Sequence, residues 1–247
     1  MKDPQPRDLS RHRIAQLLFK KENERPIASR IETLSRHFLG RPYKPNPLIG
    51  SADTPEVFTA SLAGFDCVTY LETVTALAGA YSVDDFVEWL RTIRYEHGRI
   101  QWKRRNHYMT RWIHNNLRNG ILSAVSIPAV PTVTKERVLN VVPGLDRQRT
   151  RIKCVPKRAM PLIERHLQTG DLIFFASTRK HLDVFHAGII VRDGEKILMR
   201  HASRSHRSVV EQELRDFIKG NRMAGVIVVR PKELSRRAAI GRGRTLS

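Results

Sequence analysis

Two apolar runs, Val184-Phe185-His186-Ala187-Gly188-Ile189-Ile190-Val191 and Lys196-Ile197-Leu198-Met199-Arg200-His201, flank the dipeptide Asp193-Gly194. Asp-Gly between such runs is the strongest short-range signal for a β-hairpin, because tight primed turns need residues that tolerate positive φ. With Asp193 and Gly194 as the loop, Arg192 pairs with Glu195, Val191 with Lys196, Ile189 with Leu198 and His186 with His201. Opposed residues share one face, with Cβ atoms roughly 4.5–5.5 Å apart. The register therefore predicts two imidazoles side by side, and a slip of one residue would separate them. One imidazole can act as a base while the other fixes its tautomer and orientation. Asp183 is the rival orienter. It lies an odd number of residues from His186, so on a regular strand it points away and could serve only where the chain bends.

A strand histidine asks for a nucleophile, and Gly64-Phe65-Asp66-Cys67-Val68-Thr69-Tyr70-Leu71-Glu72 supplies one. Asp66 reads as an N-cap, and Val68, Leu71, Val74, Leu77 and Ala78 recur at helical spacing. Cys67 then sits in the first turn, beside backbone N–H groups that lack helical partners. The positive end of the helix dipole and a nearby imidazole both favour a thiolate, the form that attacks a carbonyl. In that chemistry Cys67 attacks an amide carbon, His186 protonates the leaving amine, and water resolves the thioester. The Cys67 N–H is a natural oxyanion donor, worth on the order of 3 kcal/mol of barrier. The second cysteine, Cys154 in Lys153-Cys154-Val155-Pro156, reads as structural. There is no Cys-x-x-Cys or His-Glu-x-x-His pattern, so no metal or cofactor is expected.

Helical periodicity covers Arg11 to Lys20 and the stretch after Pro26, where Gly40 reads as the C-cap; a Pro-rich extended loop follows at 41–47. Ser82 caps a further helix with Phe86, Leu90 and Ile93 inward, and another helix is expected from about Asn106 to Asn119. Residues 124–160 are broken by prolines into short strands and loops. Strands are expected at 171–175 and 225–230, with a short helix over Glu211 to Lys219. The chain thus divides into a polar leader (1–10), a mainly helical lobe with the nucleophile (11–125), a mainly β lobe with the base and third polar residue (126–232), and a basic, mobile tail (233–247).

These segments also carry a resemblance. Leu39-Gly40-Arg41-Pro42-Tyr43, Phe65 to Glu72, Arg105-Asn106-His107-Tyr108 with Trp112, Gly170-Asp171-Leu172-Ile173, Leu182 to Ile189 and His201-Ala202-Ser203 occur in this order. Over roughly residues 12–232 the chain resembles the bacterial N-acetylmuramoyl-L-alanine amidase-like family, papain-like cysteine hydrolases of the NlpC type. The resemblance implies an α+β fold: a helical lobe carrying the Cys packed on a small antiparallel β-barrel lobe carrying the His. It implies hydrolysis of an amide in peptidoglycan or muropeptides. It also implies Cys67 as nucleophile, His186 as base, His201 as third polar residue and Asp66 as a receiver of a substrate amine. As part of a family block, Arg105, His107 and Tyr108 would line the substrate groove. Read without the family, Trp102, Tyr108 and Trp112 are packing residues, or the basic and aromatic stretch 99–108 is a nucleic-acid surface.

Charge is the outlier in composition: 44 Lys and Arg against 24 Asp and Glu give +20. Such a field attracts polyanions non-specifically, and equally suits solubility. Two readings stand beside the amidase: a polyanion or nucleic-acid binder on an inactive hydrolase-like fold, and an acyltransferase or thioesterase using the same Cys–His pair. No run of about 18 apolar residues marks a membrane span. The amino terminus has no apolar h-region, so the chain reads as cytoplasmic as written, and as an envelope protein if a leader precedes it or another export route is used. Oligomeric state, the scissile amide and the form of the sugar stay open.

Overall fold

In a computed structural model, residues 5–21, 25–127 and 129–233 are described, with seven α-helices and eight strands among them. Helices come first: α1 (Arg11–Lys20), α2 (Ile27–His37), α3 (Cys67–Gly79), α4 (Val83–Arg94) and α5 (Met109–Arg118). They are followed by β1 (Leu122–Ala124), β2 (Val133–Leu139), β3 (Gln148–Cys154), α6 (Met160–Glu164), β4 (Leu172–Ala176), β5 (Val184–Asp193), β6 (Lys196–Ser203), β7 (Ser208–Glu213), α7 (Leu214–Gly220) and β8 (Gly225–Pro231). Six strands form one antiparallel sheet in the order β1-β8-β4-β5-β6-β7, while β2 and β3 pair as a separate ribbon.

The sheet separates two apolar layers. On one face Phe174, Ala187, Ile189, Ala202 and Val229 join a core built from α1 to α5. On the other, Phe175, Ile190 and Met199 pack with Met160 and Ile163 of α6 and Leu214, Phe217 and Ile218 of α7. Helix α3 touches both β5 and β6. It is buried nearly all round, from Thr69 to Gly79, as a helix central to a core must be.

Several expectations need correction. The expected barrel is an open sheet. Its β7 edge is covered by the Pro-rich segment, where Gly40 donates to Val209 O at 2.9 Å and Val209 donates to Arg41 O at 2.8 Å. A covered edge removes the need for closure. The helix placed over 211–219 starts only at Leu214, because the polar stretch before it pairs with β6 as β7. Helix α5 starts three residues later than expected, at Met109, where the distant Asp183 carboxylate accepts from the Thr110 N–H at 2.7 Å. Part of the leader is folded in, with Arg7 pairing with the strand-like segment at Thr59. Residues 1–4 of the leader and 234–247 of the basic tail lie outside the described residues.

The hairpin forms with a different register. Asp193 pairs with Lys196, so Gly194 and Glu195 are the loop, and Ile189 faces Arg200 instead of Leu198. In this loop only Gly194 has positive φ, at 55°. The glycine thus takes the first loop position, as in a II′ turn, and Asp193 is spared a left-handed conformation. Every partner moves by two residues. A two-residue shift preserves the face, so His201 remains on the side of His186, as a diagonal neighbour.

Candidate active site

Asp66 stands just outside α3 with extended backbone (φ −90°, ψ 178°). Its Oδ1 accepts from the Val68 and Thr69 N–H groups at 3.1 and 2.8 Å and from Thr69 Oγ1 at 2.8 Å. Its own N–H donates to Thr69 Oγ1 at 3.1 Å, closing a capping box. Among the described residues, its Oδ2 has no hydrogen-bond partner. Cys67 follows as the first residue of the helix, unbonded to Cys154 and half-buried. The backbone N–H groups of Ala187, Cys67 and Val68 lie near its sulfur and favour its charged form. Ala187 lies beyond Ile189↔Arg200, the last pair of the β5–β6 ladder, and is the chain neighbour of His186.

Two influences in the structure work against the expected thiolate. Burial, followed by the Asp66 charge, pushes the thiol up to about 12, against the pull of the three N–H groups. Burial, followed by the charge of His201, holds His186 down at about 3. Both shifts favour the neutral forms, a thiol and a neutral imidazole. Among the described residues no hydrogen bond joins the sulfur to His186; such contacts commonly tighten only when substrate is bound.

The two histidines do meet. His186 Nε2 and His201 Nδ1 are 2.6 Å apart, and His201 Nε2 lies 3.1 Å from Gln212 Oε1 on β7. Phe217 of α7 stacks on His186, with ring centroids 5.3 Å apart and planes at 27°, and meets His201 edge-on at 5.5 Å. Phe175 lies parallel to His186 at 6.4 Å. These rings exclude water from both imidazoles, which disfavours their charged forms.

Asp183, the rival orienter, is otherwise engaged. Its Oδ2 takes the N–H and hydroxyl of Thr110 at 2.7 and 2.8 Å, and its Oδ1 takes the Val184 N–H at 2.7 Å. Glu72 is buried and paired with Arg94 at 2.7 Å and Trp112 Nε1 at 3.2 Å. The other sequence candidates spend their polar groups on their own chain. Arg105 pairs with Glu56 at 3.1 Å. His107 Nε2 bonds Trp102 O at 2.8 Å, and burial lowers its pKa to about 4. Tyr108 Oη accepts from the Val141 N–H at 3.1 Å. Burial, followed by the ionised forms of Cys67 and Asp66, raises the phenol pKa of Tyr43 in the Pro-rich segment. Gln212 is the residue that sequence reasoning missed. Its signal is its place two residues from Val210, the β7 partner of His201, and it becomes visible only once β7 is read as a strand.

Comparison with known proteins fits this geometry. Residues 33–226 match the model of the AmiA-like family, described as N-acetylmuramoyl-L-alanine amidase-like. The structure is similar to that of an N-acetylmuramoyl-L-alanine amidase from Bacteroides uniformis, with 26% identity and a TM-score of 0.73 over 83% of this chain and 99% of that one. It is also similar to protein LPG0564 from Legionella pneumophila, with a TM-score of 0.78 over 91% of this chain and 95% of that one. Identity there is 19%, so that likeness speaks for the fold alone. No protein with a curated description matches this chain.

Proposed function

The chain belongs to the N-acetylmuramoyl-L-alanine amidase-like family, and from that premise we propose that it is a cysteine hydrolase of papain-like, NlpC type. Its substrate is an amide of peptidoglycan or muropeptides, in the first place the bond between N-acetylmuramic acid and L-alanine. The observation that carries this reading is the hydrogen-bonded pair His186–His201 on β5 and β6, the strands that contact α3, the helix that Cys67 begins.

In this mechanism His186, neutral at rest, takes the proton of the Cys67 thiol as the sulfur attacks the amide carbon. The carbon–sulfur bond forms and the carbonyl becomes an oxyanion, held by the Cys67 N–H. The carbon–nitrogen bond then breaks, and His186 returns the proton to the leaving amine. Water, deprotonated by His186, cleaves the thioester and frees the acid and the thiol. A neutral pair suits this route: proton transfer accompanies attack, and no ion pair has to be kept in a dry pocket. His201 holds the imidazole of His186. Asp66, through the oxygen that the cap leaves free, receives a substrate amine. Arg105, His107 and Tyr108 line the groove and give it shape.

Mass spectrometry of muropeptides incubated with the protein tests this. Free stem peptide and peptide-free sugar are expected from the wild type and absent with Cys67→Ala. Intact muropeptide after incubation with the wild type, or equal cleavage by Cys67→Ala, would overturn it. Transfer of the acyl group to an added amine, with no free acid formed, would replace it by the acyltransferase reading.

A further inference from the structure

The structure holds a third member of the His186–His201 pair, and we propose that Gln212 is a positioning residue that sets the direction of the proton chain through both imidazoles. The proposal rests on the hydrolase reading for its catalytic consequence, while the proton arrangement itself can be observed without any turnover.

The argument is one of donors and acceptors. The atom of Gln212 that faces His201 Nε2, at 3.1 Å, is the side-chain oxygen. An amide oxygen can only accept, so His201 Nε2 carries a hydrogen. In neutral imidazole the other nitrogen is then a lone pair, and His201 Nδ1 must accept. Its partner at 2.6 Å, His186 Nε2, is therefore the donor. That leaves the Nδ1 of His186 as its basic nitrogen, ready to take a proton. If Gln212 presented its amide NH2 instead, each step would reverse. His201 Nε2 would accept, its Nδ1 would donate, and His186 would keep its hydrogen on Nδ1 and be useless there as a base. The orientation of one amide on β7 is thus transmitted across β6 to β5 through two diagonal steps on one face of the sheet.

The surroundings leave little else to do this. Phe217 stacks on the His186 ring and meets His201 edge-on; it is apolar and gives no hydrogen bond. Asp183 is committed to Thr110 and Val184. The charged or titratable groups acting on His201 are His186 from β5 and His206 from the turn after β6, and both only lower its pKa or share its proton; Gln212 from β7 is the one that raises it.

Two variants separate this role from simple packing. Gln212→Met keeps the volume and removes the acceptor. It should lower kcat on the order of 10-fold at every pH while leaving KM near its wild-type value. Gln212→Glu keeps an acceptor and adds a charge. It should restore kcat on the alkaline plateau. On acidification the carboxylate favours doubly protonated His201, which reverses the chain, so the acid limb of the kcat profile should move up by about one pH unit. A packing role would give equal losses in both variants and no displaced limb, and that result would overturn the proposal. The second readout is independent of activity. Histidine 15N NMR of the Cys67→Ala protein should show His201 protonated at Nε2, with the preference lost in a Gln212→Met background. His201 protonated at Nδ1, or a tautomer indifferent to Gln212, would overturn it. Absence of hydrolysis by the wild type together with the Nε2 tautomer would count against the hydrolase and leave the proton chain standing.

Discussion

The two ends of α3 lie in one core and treat their unpaired backbone groups in opposite ways. At the carboxyl end the orphan carbonyls are closed off: Lys21 is fully buried, and its Nζ donates to Leu77 O at 2.9 Å, to Ala78 O at 3.3 Å and to Ala80 O. Burial, followed by the Arg30 charge, pulls this ammonium down to about 7. At the amino end Asp66 takes only the Val68 and Thr69 N–H groups, and the first turn is left open around a sulfur. One end is sealed by a side chain from α1's C-cap; the other leaves the Cys67 thiol beside β5. The difference shows how one helix can anchor a fold at one end and leave its first turn open at the other: its carbonyls are gathered by a buried ammonium at the carboxyl end, and its N–H groups are only partly capped at the amino end.

The sharpest way to break this contrast is at the open end. Cys67→Ala should lower hydrolysis on the order of 10⁴-fold or more, with an unfolding midpoint close to the wild type, because the half-buried thiol carries little of the core. A large loss of stability in denaturant unfolding would show that Cys67 is a packing residue instead.

The ends also separate by pH. On the open side, His186 at about 3, and in the same window His107 at about 4, lie below the ordinary value of 6.5. Below pH 6.5 the unfolded chain binds more protons than the folded one, so stability is present above that pH and is lost as pH falls towards 4. Between pH 7 and 5 the loss should be on the order of 3 kcal/mol for the two groups together, after allowing for their partial exposure. His186→Asn should remove part of that slope. On the sealed side, Lys21 at about 7 lies below its ordinary value of 10.5, so the unfolded chain again binds more protons, now between pH 7 and 10. Stability should rise by about 2 kcal/mol from pH 7 to 9. Lys21→Met should flatten this alkaline slope and leave the acid one intact. Unfolding curves of the three proteins across pH check both assignments, and a slope that ignores the substitutions would sink them.

Much of this was legible in the sequence where the signal is local. Ser82 was readable as a cap and does accept from the Asp85 N–H at 3.0 Å. Asp66 and Cys67 were readable because a cap and an apolar stripe fix where the first turn falls. His186 and His201 share a face in the sequence reading and in the structure, since face depends on parity, while their exact opposition depended on which residues form the loop. What was not legible is set by distant partners. Helix α5 begins where a carboxylate 73 residues away meets it. Strand β7 is polar and becomes a strand only through β6, so Gln212 had no face to be assigned to. The direction of the thiol's shift likewise depends on how closely α3 packs on β5, and no local pattern states that.

The smallest expected effect is also the one that divides the roles of Asp66. Asn caps helices as well as Asp does, so Asp66→Asn should change stability by only a few tenths of a kcal/mol. Its charge, however, is the second cause of the raised Cys67 thiol. Without that charge the thiol pKa should fall, and iodoacetamide labelling of Cys67 near pH 8 should become about threefold to tenfold faster. Cys154, buried and unaffected by the Asp66 charge, serves as the internal reference. A more reactive thiol would raise hydrolysis if Asp66 did nothing else. If its free oxygen receives the substrate amine, kcat/KM should fall while labelling rises. Rise of both would remove Asp66 from substrate binding and leave it a cap; unchanged labelling would mean that burial alone holds the thiol up.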